Sequence, residues 1–132
     1  MFSLKLSVTL PADPDSVFRA LTNAKAIRAW SGQSGKVSAT IGGKFEYFDG
    51  WVTGRVLAYA PGKKLVHTWL PSDWPKDAQA TIVQVDLARS DNGTKVTLRH
   101  KGFSSKRECE KHKQGWQEFV FGPIKDHFDS HQ

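Results

Sequence analysis

WSGQ at residues 30–33, GGKFEYFDGWVTG at 42–54 and LVHTWLPSDWP at 65–75 carry the decisive pattern of this chain, in which tight glycine-rich turns alternate with aromatic strands. Phe45, Tyr47 and Asp49 alternate with Lys44, Glu46 and Phe48, and Asp49-Gly50 is a strong hairpin signal. The next strand runs from Val52 to Tyr59 and closes at Pro61-Gly62. Leu65, His67 and Trp69 then share one face of a strand that stops at Pro71. Gly42-Gly43 permits the positive φ or the bulge that bending a sheet requires. Successive hairpins with bulky rings on one face describe a curved antiparallel sheet with an aromatic inner side.

On the N-terminal side, Phe2, Leu4, Leu6, Val8 and Leu10 alternate with Ser3, Lys5, Ser7 and Thr9. That is a half-buried strand, and it lacks the charged start and continuous apolar stretch of a signal peptide. After Pro11, Asp13 reads as an N-cap, Pro14 as the first helical residue, and Val17 and Leu21 as one turn of the buried face. Asn23 caps a second short helix, with Ile27 and Trp30 on one side.

On the C-terminal side, Val83, Val85 and Leu87 alternate with Gln84 and Asp86. The Ser90-Asp91-Asn92-Gly93 turn leads to Val96, Leu98 and His100, alternating with Lys95, Thr97 and Arg99. Ser105 and Glu108 fit the opening of a final helix. In it Trp116, Phe119, Val120, Pro123, Ile124, His127 and Phe128 recur at spacings of three and four as one apolar stripe. Pro123 removes a backbone donor and predicts a kink near Phe119. The expected class is α+β: a curved antiparallel sheet gripping a long C-terminal helix, with two short helices after the first strand, one domain over residues 1–132.

The 132 residues, 39% hydrophobic and 24% charged, have the composition of a globular domain that buries a full core without staples. No apolar run approaches the roughly 20 residues that span a bilayer. Cys109 is the single cysteine, so no internal disulfide is possible and the cytoplasm is the expected compartment. The net charge of +6 is densest from Lys101 to Lys113, where Glu108 and Glu110 interrupt the cations. A solvated helix face explains that stretch, and an acidic protein surface is the partner it favours; no nucleic acid is expected.

A sheet wrapped around a helix leaves a concave apolar space. Trp30 at its mouth, then Phe45, Tyr47, His67, Trp69, Val83, Val85, Leu98 and His100 from the sheet, and Trp116, Phe119, Val120 and Ile124 from the helix are the expected lining. Core packing explains each ring singly, but together they exceed what a domain of this size needs to fold. Tyr47 and the tryptophans also carry polar handles that burial must satisfy. The leading expectation is therefore non-enzymatic binding of a small apolar ligand. Tyr47, Trp69, His100 and Trp116 would border one enclosed space of roughly 300–1,000 Å³. Trp116→Ala would then cost only about 1–2 kcal/mol, since a ring beside an existing pocket has less contact to lose.

His67 and His100 fall on inward faces, either as ligand hydrogen-bonding groups or a general base, or as satisfied core histidines. No Ser or Cys nucleophile shares those faces, so a triad is not supported, and an enzyme with a His base ranks last. Cys109 and His112 stand three apart on the helix, but only Glu108 is near enough to help. Exposure amid charged neighbours is expected there, and neither a metal nor a cofactor. None of the hairpin glycines precedes a helix as a phosphate loop would.

WSGQ, GGKFEYFDGWVTGRV, the LVHTW and SDWP pair and the terminal GWQEFVFGPIKDHF together resemble the C-terminal domain of the activator of Hsp90 ATPase family, over about Pro14 to Phe128. The resemblance implies a START-like, or Bet v 1-like, helix-grip fold of one strand, two helices, six strands and a long helix. It also implies the alternative function, a co-chaperone-type module that binds Hsp90 or another acidic protein surface. Full-length activators carry a separate N-terminal domain, for which 132 residues leave no room, so complete Hsp90 activation is not expected of this chain.

Overall fold

The structure, a computed structural model, describes residues 1–130. β1 (Phe2–Leu10) leads into α1 (Pro14–Thr22) and α2 (Ala24–Ser31). Six strands follow: β2 (Lys36–Val37), β3 (Lys44–Tyr47), β4 (Val52–Ala60), β5 (Lys64–Pro71), β6 (Thr81–Ser90) and β7 (Gly93–Phe103). The chain closes with α3 (Lys106–Gly115), a π-helical segment (Trp116–Phe121) and α4 (Gly122–Ser130). All neighbouring strands pair antiparallel in the order β1-β7-β6-β5-β4-β3-β2, so the first strand closes the sheet against the last. This is the helix-grip architecture, with the C-terminal helix held in the curve of the sheet.

The helix starts follow the capping chemistry. The Asp13 carboxylate accepts from the Ser16 N–H, Asn23 Oδ1 from the Ala26 N–H at 3.0 Å, and Ser105 Oγ from the Glu108 N–H at 3.2 Å. Each satisfies a backbone donor that the first turn leaves unpaired. β1 pairs Leu4 with His100, Leu6 with Leu98 and Val8 with Val96, which places one apolar set on the helix side. Leu10, Val17, Ile27, Phe45, Val56, Val83, Leu98 and Ile124 are the centre of a single core. At Gly54 a Cβ would lie 2.0 Å from the Thr68 carbonyl oxygen, so only glycine lets β4 approach β5 this closely.

Two local expectations are corrected. Phe48 and Asp49 do not continue β3: both have positive φ, 56° and 57°, and Gly50 follows at 85°. Three successive left-handed residues turn the chain, and Asp49 holds the turn in place. Its Oδ1 accepts from the Ser34 N–H at 2.7 Å and from the Ser34 hydroxyl at 2.9 Å, which keeps the carboxyl below its usual range. Pro123, in turn, is accommodated by a change of helix type. It cannot donate to the carbonyl four residues back, and the preceding turn widens until the Gly122 N–H reaches Gln117 O, five residues away. β2, only two residues long, has no sequence pattern of its own.

Candidate functional site

The sheet supplies an aromatic wall. The Phe45 ring stacks on His67 with centroids 3.7 Å apart and planes 15° from parallel, and it also meets Tyr47 at 4.6 Å and Trp69 at 5.9 Å. Tyr47 donates its hydroxyl to Leu21 O at 2.5 Å, one of the last carbonyls of α1, which the helix itself leaves unpaired. Burial pushes the Tyr47 phenol far above its ordinary range. Trp30, expected at a cavity mouth, is buried instead: it lies edge-on to Tyr47 at 5.8 Å and donates Nε1–H to Ala20 O at 2.7 Å. Both rings thus tie the helical corner to the sheet.

Between sheet and C-terminal helix runs a chain of indole and imidazole groups. Trp116 donates Nε1–H to His100 Nδ1 at 3.0 Å, and Trp69 donates Nε1–H to His112 Nε2 at 3.1 Å. Those two bonds fix both tautomers, because an indole can only donate. His100 therefore carries its proton on Nε2 and donates to Thr81 Oγ1 at 2.7 Å, whose hydroxyl passes on to Trp69 O at 3.1 Å. His112 carries its proton on Nδ1 and donates to Glu108 O at 3.1 Å. Both nitrogens of each ring are engaged, and each ring is neutral.

Burial is the main reason these imidazoles resist protonation. It pushes His67 down to about 4, partly offset by the Thr68 carbonyl, and pushes His100 down to about 2 with help from His112 and His67. His112 is also lowered by burial, against the opposing pull of Glu108. Neither His67 nor His100 is a base poised near neutral pH.

Cys109 and His112 are both buried, contrary to the expected exposure. α3 has few apolar residues, yet it rests this edge on the core, and burial raises the Cys109 thiol. Among the described residues no group of three or more His, Cys, Asp or Glu is placed to hold a metal ion.

On the helix side Trp116, Val120 and Ile124 face the core, but Phe119 is 61% exposed. The π-turn is the reason: one extra residue in the turn rotates Phe119 outward and brings Phe121 in, where it stacks on Trp116 at 5.9 Å. Regular three-and-four spacing could not reveal Phe121; the Gly122-Pro123 pair was the available signal of an irregular turn. Val83, Val85 and Leu98 are buried beneath the rings. Trp74 of the SDWP motif also joins the aromatic assembly, as do Phe103 and Thr81, which had not stood out in the sequence.

These side chains fill the space that the sequence reading allotted to a ligand. Trp69 and Trp116 have centroids 4.9 Å apart, and Trp69 and His100 5.5 Å. Trp69 and Trp116 do border a small pocket of about 160 Å³, open beside Phe48, Trp51 and Phe119. A second concavity of about 480 Å³ shares Glu108 with it and lies between Trp74, Phe103 and the start of α3. Neither is bordered by Tyr47 or His100. The smaller is below the roughly 300–1,000 Å³ of ordinary ligand sites.

A seven-stranded antiparallel sheet closed over a long helix, with a ring-filled interior, defines a START-like domain. Residues 11–129 match the family described as Activator of Hsp90 ATPase homolog 1-like protein, and the chain belongs to that family. The Activator of 90 kDa heat shock protein ATPase homolog 1 of Homo sapiens is 29% identical over 125 residues, 95% of this chain but 36% of that protein. The chain thus spans about a third of the length of the curated relatives it matches. An HSP90 activator from Plasmodium falciparum has a similar structure, with a TM-score of 0.86 at 25% identity over 98% of this chain and 97% of that one. A protein from Mesorhizobium loti shares the fold, with a TM-score of 0.83 at 23% identity over 99% of both chains.

Proposed function

We propose that this domain is a non-enzymatic, cytosolic binding module that docks on Hsp90. The family match over residues 11–129 carries this reading. The interior supports it from the other direction. Trp69, His100 and Trp116 spend their polar groups on one another or on the protein, which leaves little for a ligand to engage. His67 and His100 are held neutral by burial, so neither suits the role of a base that cycles its proton. On this reading the residues from Trp30 to Ile124 that the sequence suggested as ligand lining, apart from exposed Phe119, act mainly as scaffold. They hold the outer surfaces in shape. A small-ligand carrier would need these rings to move apart.

The chain corresponds to about a third of the longer activators, and binding is the activity proposed for this domain. The chain carries a net charge of +6, so attraction to an acidic surface should assist the encounter. Titration against purified Hsp90 should show binding at low salt that weakens steeply as salt rises, since screening shortens the range of the attraction. Absence of binding at low salt would overturn the reading.

A further inference from the structure

The outward face of the sheet holds nearly all of the excess charge. Inward positions of β1 and β7 are buried, and the alternate positions present Lys5 on β1 and Lys95, Arg99 and Lys101 on β7. The register sets Lys5 beside Arg99, and places Ser3 beside Lys101 and Thr9 beside Lys95. Lys64 on β5 and Arg55 on β4 continue the same face. Asp86 is the one carboxylate in β1 and β4–β7, and it is already taken by Arg99 at 3.2 Å, Lys64 at 3.9 Å and the Gln84 amide at 2.8 Å. Of the chain's 19 cations and 13 carboxylates, six and one lie on the outward face of β1 and β4–β7; Lys36, Lys44 and Glu46 on β2 and β3 share that face, and the eleven cations and eleven carboxylates elsewhere cancel.

Lys5, Lys95 and Lys101 are exposed and make no ion pair among the described residues. Uncompensated like charges on adjacent strands repel, so the arrangement weakens the fold unless something outside it benefits. Between the cations lie half-buried Ile82 and Val66 and exposed Leu70. An apolar centre with a charged rim is the ordinary anatomy of a protein interface. The outward positions of β1, β5, β6 and β7 carry no Phe, Tyr or Trp, so this face offers no stacking platform for single-stranded nucleic acid.

We propose that the outer face of β1, β7, β6 and β5 is the surface through which the domain meets an acidic patch on its protein partner. The proposal rests on the Hsp90-binding reading and adds where the partner sits: on the sheet, away from the C-terminal helix and the aromatic pocket.

The test compares two triple variants with the same change of net charge. Lys5→Glu, Lys95→Glu and Lys101→Glu alter the outer face, whereas Lys25→Glu, Lys106→Glu and Lys113→Glu alter exposed positions on α2 and α3. Urea midpoints first establish that both are folded, and association with Hsp90 is then followed at low salt. The outer-face triple should slow association about tenfold or more and flatten its salt dependence, with dissociation changed less. The helical triple should stay within about threefold of the parent, since it changes only the overall field. Equal losses in both triples would overturn the proposal, as would a parent-like outer-face triple; either leaves Hsp90 binding itself intact. No binding by the parent overturns the Hsp90 reading and the surface together. Anisotropy titrations with single-stranded and duplex DNA complete the set: tighter binding to DNA than to Hsp90, lost in the outer-face triple, would reassign the face to nucleic acid.

Discussion

Acidification should weaken this domain from near pH 6.5 downward, well above the range where carboxylates titrate. An unfolded histidine takes up its proton as pH falls through about 6.5. In the folded chain His67 and His100 stay neutral until about 4 and about 2, because charging them means placing a cation among packed rings. With the folded value depressed, the unfolded state binds more protons throughout that window, and stability falls as pH falls. The full contribution is present above pH 6.5. Each of the two histidines should remove about 2–3 kcal/mol by pH 4.5, at about 1.4 kcal/mol per pH unit. Together that is about 5 kcal/mol, comparable to the whole stability of many domains. His112 is shifted in the same direction. Urea unfolding at a series of pH values checks this, and His67→Leu should make the slope shallower by one proton. A flat profile between pH 6.5 and 5 would show that the imidazoles are hydrated rather than buried.

Trp116→Ala should cost about 3–5 kcal/mol, the range for deleting a large buried ring, and not the 1–2 kcal/mol of a ring beside a ready-made pocket. Trp116 is 4% exposed, it touches Trp69 and Phe121, and its N–H is the donor that satisfies His100 Nδ1. Removing it opens a void and strands a buried acceptor at once. Trp116→Phe separates the two effects, since it keeps most of the ring and loses only the hydrogen bond, at a cost of about 1–3 kcal/mol. Denaturant titration of both variants measures the difference. A loss below about 1 kcal/mol in the alanine variant would restore the pocket reading.

The strands and caps were legible because each rests on a local rule. Alternation along Phe2–Leu10 and Val83–Leu87, and the side chains of Asp13, Asn23 and Ser105, act within a few residues of where they stand. The family resemblance, carried by four motifs in order, extended that to the whole architecture. What failed to show was whether the inner face would be hollow or full. Alternation says that Tyr47, Trp69 and His100 point inward, but it gives no distance to the ring across the gap. That distance depends on sheet curvature and on the rotation of the C-terminal helix, which the π-turn changes. Phe119 left the core and Phe121 entered it for that reason. Cys109 and His112 were misjudged similarly: their neighbours in sequence are charged, but both are buried, and His112 lies against Trp69, Trp74 and Phe103. The sign of the net charge was plain from composition, whereas its collection on one sheet face needed the strand register.

The closed interior, with function on the surface, is tested most directly by the indole resonances of ¹⁵N-labelled protein during titration with an apolar naphthalene probe. Trp30, Trp69 and Trp116 each donate to a buried acceptor, so their N–H signals should exchange slowly with solvent and keep their shifts as the probe is added. Saturable, concerted shifts of Trp69 and Trp116, with fast exchange in the free protein, would mean that the helix lifts from the sheet to admit a ligand, and would contradict the account.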